Sequence, residues 1–352
     1  MNFSVEELRL NDARGQRLFD KLLGEAGIKR DNNLDYIAGI YDADYNLAAA
    51  GACFGNTLRC LAVGDAFRGE GLMAPVVTHL VERLTNAGQH HIFLYTKCEN
   101  ADVFSALGFY EIARVQDEVL LMENLRRGFA GFLEDLNKEK REGEGCAAGS
   151  VAALVMNCNP FTLGHRHLIE TAAGRADTLH IFAVAENLSL FPFADRFALI
   201  QKGCADLPNV RLHSTGSYMV SQAVFPSYFL RDEAEAIEAQ ARLDVAIFKR
   251  IAAAVGATTR FVGEEPFSVV TGIYNRIMGE SLPAAGITCT VIPRKEFQGV
   301  PISASRVRKL LQAGDVQATK EMVPPTTFDY FDSPQGRQVI ANIQKEREVE
   351  HY

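Results

Sequence analysis

The stretch Val151–Glu170, VAALVMNCNPFTLGHRHLIE, decides how the rest of the chain is read. Val151 to Met156 is a short apolar run that suits a strand buried on both faces. Asn157, Asn159 and Pro160 are turn residues, and Gly164 permits close backbone approach. From His165 onward, Leu168, Ile169, Ala172 and Ala176 recur at helical spacing, so the pattern predicts a strand, a tight loop and a helix. Where a strand ends and a helix begins in an open α/β sheet, backbone N–H groups and the helix dipole favour an anion, phosphate above all. His165 stands one turn before Ile169, on the sheet-facing side but at the open end. An imidazole there can donate to a phosphate oxygen and stabilise charge developing at phosphorus. Thr162 offers a hydroxyl to the same place.

TLGH (Thr162 to His165), preceded by NPF (Asn159 to Phe161), resembles the HxGH or TxGH signature of the nucleotidylyltransferase superfamily. Taken alone, the four residues fit a core histidine or a helix-capping turn equally well. A second segment, ISASRVR (Ile302 to Arg308), resembles the ISSTxxR element of the same superfamily. Ser303 is a natural N-cap for a helix through Val307, Leu310 and Leu311, from which Ser305 and Arg308 can turn toward a phosphate. Two such segments, in this order and separated by alternating strands and helices, imply one nucleotide site faced by two helix starts. The resemblance implies that Asn159, Phe161, Gly164, Ser303 and Ser305 bind the nucleotide. His165, Thr162 and Arg308 would act at phosphorus.

The bulk properties bound the rest. At 352 residues, 47% apolar and 23% charged, the chain is an ordinary globular sequence long enough for two cores. Its net charge of −8 argues against a broad nucleic-acid-binding surface. No apolar run approaches the roughly 20 residues that span a bilayer, and the first residues lack the pattern of a signal peptide, so a cytoplasmic location and no membrane partner are expected. The seven cysteines are scattered without metal-ligand spacing and are expected to be reduced and mostly buried, Cys158 in the phosphate loop included. No protein-held metal is expected.

Upstream, a helical pattern over residues 5–26 is followed by strand-like segments at Tyr36–Tyr41, Leu47–Phe54 and Leu58–Val63. The last runs into RGEGL, Arg68 to Leu72, which resembles motif A of the GNAT acyltransferases. In that family, N–H groups before a helix cradle the pyrophosphate of coenzyme A, which nominates Arg68, Gly69 and Gly71. HIFLYTK, a helix around Asn100 to Leu107, and GFYEI resemble the later GNAT elements. Tyr110 reads either as an acid toward a leaving thiol or as a packed aromatic. Leu125–Leu136 predicts an amphipathic helix, and the charged, glycine-rich Asn137–Gly149 predicts an exposed connection with a boundary near residue 145. The expected organisation is a GNAT-like α/β domain over 1–130, a linker over 131–149, and a Rossmann-like parallel-sheet nucleotidylyltransferase domain with a C-terminal helical extension over 150–352.

Beyond the phosphate loop, strands at Leu179–Ala185, Val210–Ser214, Arg260–Gly263 and Ile287–Pro293 alternate with helices, implying a parallel sheet. Arg196, Gly263, Glu264 and Glu265 fall at or beyond strand ends, where Arg196 would neutralise phosphate and the GEEP turn would present groups to a base or ribose. The apolar-aromatic loop AVFPSYFLRD, Ala223 to Asp232, reads as a lid, an acyl pocket or a domain contact. Taken together, NPFTLGH, FPFADRF, FPSYFLRD, GEEPF and ISASRVR behind a GNAT-like domain resemble the [citrate (pro-3S)-lyase] ligase family over nearly the whole chain. That resemblance implies an ATP-dependent acetylation, with phosphate-bound Mg²⁺. Its partners would be acetate and the citrate lyase acyl carrier protein, whose dephospho-coenzyme A-type prosthetic group supplies the thiol. Two other readings stay open at this point: a nucleotidylyltransferase acting on a phosphorylated metabolite with a regulatory GNAT domain, and a non-catalytic acyl-CoA or nucleotide sensor.

Overall fold

A computed structural model of the chain describes residues 4–116, 118–143, 149–185, 189–219, 225, 233–264 and 269–349. The chain divides into two compact units, one built from Met1–Phe132 with Phe225–Ala246, the other from Leu133–Val224 with Ile247–Tyr352.

The first unit is α/β. Its elements are β1 (Glu6–Glu7), α1 (Ala13–Glu25), β2 (Tyr36–Tyr41), β3 (Leu47–Phe54), β4 (Thr57–Val63), α2 (Met73–Asn86), β5 (Phe93–Thr96), α3 (Ala101–Ala106), β6 (Tyr110–Val115) and β7 (Val119–Glu123). They form one seven-stranded sheet in the order β1-β2-β3-β4-β5-β7-β6. The run of small residues in β3 lets helices come close to its faces: a Cβ on Gly51 would lie 3.0 Å from Leu80 and Val76 of α2. Helix α2 buries Val76, Val77, Leu80 and Leu84, the i, i+4 stripe its sequence predicts. Strands β4 and β5 run parallel but pair only at Thr57 with Phe93 and Leu58 with Leu94. Past those pairs they diverge around a cavity of about 690 Å³.

Helix α4 (Gly128–Gly143) differs from expectation. The charged run expected to be an exposed connection continues the helix through Gly143, and the division between units falls at Phe132, inside it. Lysine, glutamate and arginine are good helix formers, and an Asp135–Lys138 ion pair at 2.8 Å spans one turn.

In the second unit the elements are β8 (Val151–Met156), α5 (Leu163–Ala173), β9 (Thr178–Ala183), α6 (Phe193–Gly203), β10 (Val210–Ser214), α7 (Glu233–Val255), β11 (Thr259–Gly263), α8 (Val269–Ser281), β12 (Thr288–Ile292), β13 (Glu296–Phe297), β14 (Val300–Pro301), α9 (Ala304–Gln312), α10 (Pro325–Asp332) and α11 (Pro334–Ile343). The first half of α7 counts with the first unit. Five strands form a sheet in the order β10-β9-β8-β11-β12, every paired neighbour parallel. This is the doubly wound, Rossmann-like arrangement that the alternation predicted. The order in which strands are added to the sheet reverses between β8 and β11, so the crevice beyond their carboxyl ends is where an open sheet of this kind receives a ligand. No helix among the described residues is long and apolar enough to cross a membrane.

Candidate active site

At the end of β8 the chain turns sharply: Cys158 adopts a left-handed φ of 53° and the Asn159–Pro160 bond is cis. Phe161 follows, fully buried. Its ring lies against the backbone of α6, where a Cβ on Gly203 would come within 2.4 Å of it. It also stacks on the His165 ring, with centroids 6.1 Å apart. The ring expected to touch nucleotide instead anchors the loop to the core and backs the imidazole.

Thr162 caps α5 in a reciprocal box. Its hydroxyl accepts from the His165 amide at 3.3 Å, while His165 Nδ1 accepts from the Thr162 amide at 3.1 Å and lies 3.0 Å from the Thr162 hydroxyl. Thr162 is therefore turned inward and 1% exposed, and does not offer its hydroxyl to a ligand as its position in the motif suggested. It positions the histidine instead. Nδ1 receives a backbone donor, so the proton of the neutral ring resides on Nε2, which becomes a donor. Burial, helped by the positive charges of Arg294 and Arg308, lowers the His165 pKa to about 4 and keeps that ring neutral at physiological pH. The helix start itself is largely occupied: the Leu163 amide bonds the Met322 carbonyl at 2.9 Å, and the His165 amide is taken by Thr162.

The second motif meets the first. Ser303 caps α9, its hydroxyl accepting from the Arg306 amide at 3.2 Å and lying 3.1 Å from that of Ser305. A Cβ on Gly164 would sit 2.9 Å from the Ile302 carbonyl oxygen, so this approach requires glycine. Arg308, 3% exposed, donates from Nη1 to the Asn159 carbonyl and from Nε to the Val349 carbonyl, both at 2.6 Å. It ties the two helix starts together rather than turning outward, and its burial lowers its pKa to about 10. Asn159 accepts from the Phe191 amide at 3.0 Å through its side-chain oxygen, while its Nδ2 is buried without a hydrogen-bond partner among the described residues. A donor in that state suits the oxygen of an anion.

Arg196 departs furthest from expectation. It is fully buried on α6 and donates to the carbonyls of Phe191 (3.0 Å), Asn157 (2.7 Å) and Val184 (2.8 Å) and to the Asn157 side chain (2.7 Å). It satisfies the carbonyls left over where β8 and β9 end, and its guanidinium is not a phosphate ligand. Gly263 and Glu264 do lie at the carboxyl end of β11. Glu265 lies outside the described residues. Sequence reasoning missed Arg294, whose Nε donates to the Glu264 carbonyl at 2.6 Å. Its signal was available: it stands two residues past the end of β12. Cys158 is buried, its thiol held well above its ordinary pKa by desolvation, and it packs in the core as expected.

In the first unit, Arg68, Gly69 and Gly71 line the cavity between β4 and β5 together with Tyr95 and Lys97. Gly69 and Gly71 have φ of 87° and 76°, the left-handed turns that glycine permits before a helix. Tyr110 is 40% exposed on the outermost strand and does not line the cavity. Of AVFPSYFLRD only Phe225 falls within the described residues. It packs edge-on against Tyr95 with ring centroids 5.5 Å apart.

A family model for the citrate lyase ligase C-terminal domain matches residues 151–331. A [citrate [pro-3S]-lyase] ligase of Klebsiella pneumoniae is 36% identical over 327 residues, covering 92% of this chain and 94% of that protein. The chain belongs to the citrate lyase ligase family. Like those relatives it is a ligase, and the matched residues include both helix starts. A phosphopantetheine adenylyltransferase of Staphylococcus carnosus is 34% identical over 73 residues, 20% of this chain and 45% of that protein. A solved acyl-CoA N-acyltransferase from Pseudomonas aeruginosa is 12% identical, covers 35% of this chain and 97% of its own, and superposes with a TM-score of 0.30.

Two measurements check this geometry. In ¹⁵N–¹H spectra His165 should show the neutral Nε2–H tautomer at pH 7. The unfolded chain protonates this ring near its ordinary pKa of 6.5, while the folded site refuses the proton until about 4. The stability associated with the neutral ring is thus intact above 6.5 and lost as pH falls through that window; a ring that titrates near 6.5 would contradict the assignment. Replacing Arg196 with Met should destabilise the protein by at least about 3 kcal/mol in urea unfolding, because several buried carbonyls lose their donor, and Arg196→Lys should recover little. Full recovery by lysine would mean that charge, not the fork of donors, is what matters there.

Proposed function

We propose that the chain catalyses ATP-dependent acetylation of the thiol prosthetic group of citrate lyase's acyl carrier protein, and so activates citrate lyase. Acetate and ATP would give acetyl adenylate and pyrophosphate, and transfer of the acetyl group to the thiol would release AMP. The observation that supports the adenylation step is the hydrogen bond from the Thr162 amide to His165 Nδ1, which leaves Nε2 as the donor, beside the point where the two phosphate motifs close on one another.

The chemistry asks little of the protein in proton transfer. A carboxylate with a pKa near 4 is ionised at neutral pH, so acetate can attack the α-phosphorus without a base. What the site would supply is hydrogen-bond donors where negative charge grows, His165 Nε2–H, Asn159 Nδ2 and the hydroxyls of Ser303 and Ser305 being the candidates. A neutral imidazole held to one tautomer keeps a fixed donor through the reaction. Arg308 contributes its charge through space while holding the Asn159 carbonyl. Among the described residues no group of three or more His, Cys, Asp or Glu side chains gathers as a metal site, and the donors at the helix starts suit anions. Mg²⁺ would therefore arrive on the triphosphate, where it shields the phosphate charge.

The acetyl adenylate is an activated acyl donor that a thiolate cleaves. A thiol of ordinary pKa near 8.5 is only a few per cent ionised at pH 7, so a positive setting speeds this step. The first unit's cavity, with Arg68 and the Gly69–Gly71 turn at its edge, supports a role for that unit in holding the pantetheine arm of the carrier. Pyrophosphate release and thioester formation, measured separately, test the division of labour. His165→Ala should lower ATP–pyrophosphate exchange in the presence of acetate by roughly 100-fold or more, and near-normal exchange would remove His165 from the mechanism. Arg68→Glu should weaken use of the carrier while leaving carrier-free exchange unchanged. Parallel loss of both activities in that variant would mean the two steps are not divided between the units.

A further inference from the structure

The two arginines that sequence motifs and strand ends nominate for phosphate both donate inward to carbonyls: Arg196 is fully buried and Arg308 is 3% exposed. Arg294 lies in neither motif and is half-buried. Strands β8, β11 and β12 are mutually parallel, so their carboxyl ends share one edge of the sheet, and the reversal of strand order lies between β8 and β11. Arg294 is fastened at that edge. The Glu264 amide bonds the Ile292 carbonyl at 2.8 Å, carrying the ladder one step beyond β11, and the Glu264 carbonyl then accepts from Arg294 Nε at 2.6 Å. This bond restrains the guanidinium close enough to His165 for its charge to act on the ring. A planar fork held at a switch-point crevice matches paired phosphate oxygens better than a point charge does.

We propose that Arg294 is the guanidinium that grips the triphosphate of ATP and then the departing pyrophosphate in this nucleotide site. The inference rests on the adenylation reading above, but its test does not need acetate, carrier or turnover. Calorimetric titration of the full chain with Mg-ATP and with AMP compares wild type with Arg294→Gln and Arg294→Lys. Loss of a charge-assisted contact should weaken ATP binding roughly 10- to 100-fold in the glutamine variant, with AMP affected several-fold less. Lysine should restore part of the ATP affinity. The His165 pKa, followed by NMR, should rise in the glutamine variant as a neighbouring positive charge disappears.

Unchanged ATP binding in Arg294→Gln would overturn the proposal. So would equal loss of ATP and AMP, which is what a purely positional role through the Glu264 carbonyl predicts. If the glutamine variant melts well below wild type, the lysine variant decides: retained preference for ATP over AMP supports the grip, and loss of that preference removes it. A wild-type chain that binds ATP through Arg294 yet shows no acetate-dependent exchange would refute the ligase chemistry and leave Arg294 in place. An active wild type whose Arg294→Gln variant binds ATP normally would do the reverse.

Discussion

One hydrogen bond, from Arg308 Nη1 to the Asn159 carbonyl, joins positions 149 residues apart and makes two separate helix starts into one site. Burying a guanidinium is costly unless its charge meets oxygen dipoles, and here the Asn159 and Val349 carbonyls provide them. The same cation acts electrostatically on His165 and helps keep it neutral. Gly164 is the steric half of this constraint. Without a side chain it lets the Ile302 carbonyl approach to a distance that any Cβ would forbid. Fastening, charge and close approach therefore act at one point.

The parallel sheet, the strand–loop–helix at Val151–Glu170 and the start of α9 were legible in the sequence because apolar periodicity and capping residues are local signals. Strands Tyr36–Tyr41, Leu47–Phe54 and Val210–Ser214 have the bounds that periodicity assigned them. The direction in which polar side chains turn was not legible. Thr162, Arg196 and Arg308 occupy the expected places, yet each turns toward a backbone or ring group whose position depends on how distant segments fold back. Arg196 could be recognised as structural only once the carbonyls of Asn157, Val184 and Phe191 converged on it. Arg294 was missed for a different reason: the strand-end rule that picked out Gly263 and Glu264 was not carried on to β12. The composition of the charged run after Leu136 points to a connection, but its helix propensity extends α4.

The arrangement in the second unit also explains why its motif residues differ in kind. Phe161 and Thr162 shape and orient, His165 is held to one tautomer, and Asn159 keeps one buried donor without a partner among the described residues. Under the proposed adenylation, none of these would need to gain or lose a proton. A site of this type works by being held still before the substrate arrives, which is consistent with the tight packing around Phe161 and Gly203.

The parting of β4 from β5 in the first unit has a meaning of its own. Each strand remains zipped on its outer side, β4 to β3 and β5 to β7, while the inner ladder ends at Leu58 and Leu94. The gap is thus bordered by two main-chain rims that face one another at more than sheet spacing. A plain hydrocarbon tail would leave such rims unsatisfied, whereas an extended guest carrying amide bonds could lie between them as a substitute strand. Hydrogen-bonding complementarity along the backbone is therefore the first requirement the gap sets on whatever fills it.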